Sequence, residues 1–124
     1  MTKVPATMRR LAILFSLLAI ISAAANAQDF VPGFEDLPLM PGLSPIAGSG
    51  HVFDSPAGRL VESHARGAVT RADVITFYRE SLVALGWSET GPVQFRRENE
   101  ILRIEASGRD GNLQVLFRLA PDRR

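Results

Sequence analysis

The chain contains no cysteine, which rules out disulfides, cysteine-zinc sites, thiol catalysis and a lipid-modified cysteine. It has no apolar run of spanning length. The longest, Leu11 to Ala25, has 15 residues, short of the roughly 20 that a membrane-crossing helix needs. It also lacks the basic excess of a nucleic-acid binder. Lys3, Arg9 and Arg10 fall in the first 27 residues. Of the 14 basic residues, 11 then remain against 13 acidic ones, so the formal charge of +1 becomes slightly negative. With 124 residues in all, there is room for one small domain and not for a doubly wound sheet plus a second unit.

Residues 1–27 read as a secretory leader. Lys3, Arg9 and Arg10 form a basic start, an apolar stretch follows, and Ala25-Asn26-Ala27 puts small residues at the −3 and −1 positions of a cleavage site. The expectation is cleavage after Ala27, no stable membrane span thereafter, and a periplasmic or secreted protein.

Residues 28–50 form a proline-rich extended segment carrying Pro32, Pro38, Pro41 and Pro45. Proline fixes φ and lacks a donor, so neither a helix nor a central strand is expected there. Phe30, Val31, Phe34, Leu37, Leu39, Met40, Leu43 and Ile46 make the segment too apolar for a solvated tether. It reads as a strap over an apolar groove, or as a docking peptide for a partner.

A single α+β domain over residues 51–120 follows, with residues 121–124 as a tail. His51–Asp54 and Arg59–Arg66 flank Ser55-Pro56-Ala57-Gly58, a β-turn pattern. A tip at Pro56-Ala57 pairs Asp54 with Arg59, Phe53 with Leu60 and Val52 with Val61. Either face of this hairpin could be the buried one. Thr70-Arg71-Ala72-Asp73 resembles a capping box, with Val69 placed to staple onto Val74. Val74, Phe77, Tyr78, Leu82 and Leu85 recur at helical spacing. Gly86 marks a left-handed stop, after which Trp87 packs back on the last turn. A meander comes next. Tips at Glu98-Asn99 and at Asp110-Gly111, the latter a favoured type I′ pair, align Phe95 with Leu102, Leu102 with Leu119, Ile104 with Phe117 and Ala106 with Val115. Two independent turns thus put the large apolar residues on one face. The expected fold is α+β: an antiparallel sheet of about five strands in the order β-β-α-β-β-β, with one helix packed on one face. Phe53 or Val52, Phe77, Tyr78, Leu82, Leu85, Phe95, Leu102, Ile104, Val115 and Phe117 would form the core.

The run Phe53-Asp54-Ser55-Pro56-Ala57-Gly58-Arg59-Leu60-Val61-Glu62, with Val74-x-x-Phe77-Tyr78-x-x-x-Leu82-x-x-x-Gly86-Trp87 and Phe95-Arg96-Arg97-Glu98, resembles a family of small exported bacterial domains of unknown function. The resemblance spans most of Val52 to Leu119. It implies an α+β domain and carries over no catalytic residue.

No catalytic constellation is legible. Ser55, Ser63, Ser81 and Ser107 lack a nucleophile-elbow context, Glu98 and Glu100 flank a solvated tip, and no glycine-rich loop precedes the helix. His51, His64 and Glu62 could share a face of the first hairpin, but their spacing matches no metal motif, and no metal or cofactor is assigned. The basic residues after the leader are all arginine. By the expected registers, the wet sheet face carries Gln94, Arg96, Ile101, Arg103, Glu105, Leu116 and Arg118, with Arg103 opposite Arg118. Arginine among exposed apolar neighbours is the composition of interface centres. Arg96, Ile101, Arg103, Leu116 and Arg118 are therefore the candidate binding residues. The sequence points to a non-catalytic exported domain, a protein-interaction module with an envelope partner. The alternative is a binder of a small or anionic ligand on the arginine face or in a helix-sheet pocket.

Overall fold

The computed structural model describes residues 29–122; the proposed leader and its cleavage site lie outside the described residues. Seven strands and one helix follow in chain order. The strands are β1 (Leu43–Pro45), β2 (His51–Ser55), β3 (Gly58–Gly67), β4 (Ser88–Gly91), β5 (Gln94–Arg97), β6 (Glu100–Arg109) and β7 (Asn112–Pro121), and the helix is Arg71–Ala84, between β3 and β4. All strands pair antiparallel in one sheet of order β1-β3-β7-β6-β5-β4. β2 pairs with β3 through residues 58–62, and β1 with residues 65–67. β7 takes the opposite edge of β3, so β1 and β2 lie end to end along its outer edge.

The expected five-stranded order β-β-α-β-β-β is therefore corrected to seven strands, β-β-β-α-β-β-β-β. Both additions are short edge strands with no alternation to announce them. β1 contains Pro45, which is tolerated because an outer edge needs no donor. β4 is Ser-Glu-Thr-Gly, and its pairing with β5 slips between Glu89 and Gly91.

Elsewhere the local chemistry and the structure agree. Asp54↔Arg59, Phe53↔Leu60 and Val52↔Val61 pair in the first hairpin. In the meander, Phe95↔Leu102, Leu102↔Leu119, Ile104↔Phe117 and Ala106↔Val115 do so. The second tip is not type I′, since that turn needs positive φ at both central residues and only Gly111 (φ 91°) has it. Thr70 Oγ1 accepts from the Asp73 N–H at 3.1 Å, and Asp110 accepts from the Arg71 N–H at 2.9 Å, satisfying two orphan donors of the helix start. At the other end Gly86 (φ 90°) adopts the left-handed conformation. Trp87 N–H returns to Leu82 O at 2.9 Å and Gly86 N–H to Val83 O at 3.2 Å, the bond pair of a Schellman motif.

The core lies on one face of the sheet. Val61 and Ala65 of β3, Leu113, Val115, Phe117 and Leu119 of β7, Leu102 and Ile104 of β6 and Phe95 of β5 are buried there. Val74, Tyr78 and Leu82 of the helix cover them, with Tyr78 edge-on to Phe117 at 5.2 Å between ring centres. Three expected core residues are corrected: Val52 and Phe53 are more than half exposed and Leu85 is 38% exposed. β2 runs along the rim, beyond the cover that the helix provides, and Leu85 sits at the helix C-cap.

The rest of the cover comes from residues 29–46. Val31, Leu37, Met40 and Leu43 are buried in the same core. The Tyr78 hydroxyl donates to Pro38 O at 2.9 Å and accepts from Met40 N–H at 3.1 Å, tying the segment to the helix. Two glycines permit the close approach. Gly33 (φ 88°) leaves no room for a side chain beside Val61, and a Cβ on Gly67 would collide with the Gly42 carbonyl. Arg97 clamps the segment from the other end. Its guanidinium donates to Asp36 at 2.7 Å and to Leu85 O at 3.1 Å, and stacks 4.4 Å above the Trp87 ring. The Arg97 hydrogen bond holds the Asp36 carboxyl below its usual range.

Candidate functional site

A sheet with one covered face leaves the other to solvent, and side chains at every second position point into it. The pairs Arg96↔Ile101, Ile101↔Ala120, Gln94↔Arg103 and Arg103↔Arg118 fix what stands beside what on that face. The wet face floors an open depression of about 640 Å³. Arg96, Arg103 and Arg118 line it together with Gln94, and Leu60, Ile101, Ala120 and Pro121 supply apolar surface. Four of the five sequence-derived candidates, Arg96, Ile101, Arg103 and Arg118, therefore share one concavity. Leu116 does not line it. It is half-buried one step along β7, paired with His64 and Glu105.

Arg103 and Arg118 are cross-strand partners, an arrangement of like charges that destabilises a sheet by tenths of a kcal/mol. Arg118 is relieved by Glu62 at 3.5 Å and Arg96 by Asp122 at 3.0 Å. Arg103 reaches only the Gln94 amide oxygen, at 3.0 Å, and has no carboxylate partner among the described residues.

Sequence reasoning missed Leu60, Ala120, Pro121 and Asp122 as lining residues. Ala120 follows from extending the β6–β7 register by one pair. Leu60 does not, because the contact between β3 and β7 joins segments about 50 residues apart in the chain. Asp122 is brought in by its N–H bond to Asn99 O at 2.7 Å, which lays the chain end against the β5–β6 tip.

His51 lies opposite Glu62, and His64 Nε2 is 3.5 Å from a Glu62 oxygen. His64 Nδ1 lies 3.2 Å from the Gln114 amide nitrogen. Among the described residues no group of three or more such side chains could hold a metal ion. A second, smaller cleft of about 280 Å³ lies beside the helix start, lined by Val74, Ile75, Val93, Ile104 and Ala106, with Arg71 at its mouth. Among the described residues no helix is long and apolar enough to cross a membrane. Comparison with family models, with curated proteins and with solved structures finds no match to this chain.

Proposed function

We propose that this is an exported, non-catalytic binding domain whose arginine-bearing sheet face receives an anionic ligand. One observation carries the reading: the face is concave, and within its depression Arg103 stands opposite Arg118 without a carboxylate of its own. Guanidinium groups present donors in a fixed fork that matches carboxylate and phosphate oxygens, so an anion placed between the two would replace repulsion with charge-assisted bonds. The export assignment rests on the leader-like pattern of residues 1–27.

A second reading, a protein-interaction module with an envelope partner, draws on a different feature. β2 pairs on one side only and exposes Val52 and Phe53, which suits pairing with another chain. The two readings separate on one variant. At low salt, hexaglutamate or inorganic phosphate should produce saturable NMR shifts confined to residues 94–103 and 116–121. Arg103→Glu should abolish them while the fold survives, and added salt should weaken them in the wild type. The absence of any saturable shift with anionic probes overturns the first reading.

A further inference from the structure

The open face is striped across its strands. One row runs Phe53, Leu60, Ala120, Ile101, through the pairs Phe53↔Leu60 and Ile101↔Ala120, with Val61↔Leu119 setting Ala120 beside Leu60. The next row runs Glu62, Arg118, Arg103, Gln94. The first row is apolar throughout and the second is polar, and the depression spans the boundary between them.

Charge and size together narrow the occupant. Arg96 and Arg118 each face a carboxylate, whereas Arg103 faces only an amide, so one guanidinium charge in the depression is left uncompensated. A single anionic head answers that charge, and a dianion would exceed it. A bare small anion would leave most of the 640 Å³ unfilled, and the volume falls in the range of sites for ligands with a sizeable apolar body. The apolar row crosses four strands, from Phe53 on β2 to Ile101 on β6, about 14 Å at about 4.8 Å per strand. Phe53 and Leu60, at its outer end, are exposed.

We infer that the depression takes a single-headed anionic amphiphile, a free fatty carboxylate. Its head lies between Arg103 and Arg118, and its hydrocarbon runs along Ile101, Ala120, Leu60 and Phe53. This rests on the anion-binding reading above and adds the chemical class. A free amphiphile is favoured over a bilayer surface because the chain lies along the sheet, and because Glu62 and Glu105 on the same face repel anionic headgroups.

The test is calorimetric titration of the full-length protein with sodium decanoate, kept below its micelle-forming concentration. Saturable one-site binding is expected with decanoate and none with acetate or decyltrimethylammonium. Arg103→Gln and Ile101→Ser should each weaken it at least tenfold with unchanged melting curves. Leu116→Ser, on the same face but outside the depression, should leave it unaltered. Decanoate binding that ignores Arg103→Gln overturns the inference, as does binding to anionic phospholipid vesicles without binding to free decanoate. If hexaglutamate or phosphate binds through Arg103 and decanoate does not, the amphiphile is wrong and the anion-binding reading stands. If no anionic probe binds, both fall.

Discussion

Leu102 and Arg103 are neighbours in β6, yet one is almost wholly buried and the other exposed. The contrast holds across the sheet. The covered face carries Phe117, Val115, Leu119 and Ile104 beneath Tyr78 and Leu82, and the open face carries arginines and glutamates interleaved with Leu60, Ile101 and Ala120. Both faces contain apolar residues. What separates them is the cover, supplied by one helix and by a proline-rich segment some 40 residues distant from it in sequence. Burial on this sheet is thus a property of what lies on top, and the open face keeps its apolar row for something outside the chain.

The largest expected effect cuts into the covered face. Leu102→Ala removes a fully buried side chain between Phe95 and Leu119 and should lower unfolding free energy by about 2–5 kcal/mol. A loss below about 1 kcal/mol in urea melts would mean that this face is less tightly covered than its burial indicates.

The next tests the cover itself. Tyr78→Phe deletes the hydroxyl that joins the helix to Pro38 and Met40, leaving a buried carbonyl and a buried N–H without a partner, at about 1–3 kcal/mol. Burial also pushes the Tyr78 phenol well above its usual range. A group whose folded pKa is raised contributes stability that is full below the unfolded value and is lost as pH rises beyond it. The fold should therefore weaken above about pH 10, the ordinary phenol value. Tyr78 is the only tyrosine, so absorbance at tyrosinate wavelengths reports it directly. Ionisation should coincide with alkaline unfolding, and an earlier, ordinary titration would place the ring in water.

A smaller effect of opposite sign is expected at Ser63. It is buried opposite Phe117, and its hydroxyl has no hydrogen-bond partner. Ser63→Ala removes an unsatisfied polar group from an apolar layer and should raise stability by about 1 kcal/mol. A loss of stability would reveal a partner for that hydroxyl and a more polar covered face.

Much of this division was legible in the sequence because it is local. Pro56-Ala57, Glu98-Asn99 and Asp110-Gly111 set the registers of adjacent strands, and Thr70 and Gly86 bound the helix. Those registers were enough to put Arg96, Ile101, Arg103 and Arg118 on one face. Three things were not legible. The buried face of the first hairpin depends on β3 pairing with β7, and neither strand's alternation carries that information. β1 and β4 are too short and too polar, or too proline-bearing, for a period to show. The concavity depends on Leu60 and Asp122 arriving from the far ends of the chain order, so the sequence shows the arginines and hides the shape around them.

The smallest stability effect belongs to the open face, and it sharpens the contrast most. Arg103→Glu exchanges a like-charge opposition with Arg118 for an ion pair, worth up to about 1 kcal/mol at an exposed site. It also gives up the bond to the Gln94 amide oxygen, which is solvent-accessible and cheaply replaced by water. Melting should hold or rise slightly, and the gain should shrink with added salt because the pair is screened. Leu102→Ala and Arg103→Glu, one residue apart on a single strand, would then differ by several kcal/mol while only the second removes anion binding. A loss above about 2 kcal/mol for Arg103→Glu would show that the arginine supports the sheet. The two faces would then be one structural unit, and no surface would be held in reserve for a ligand.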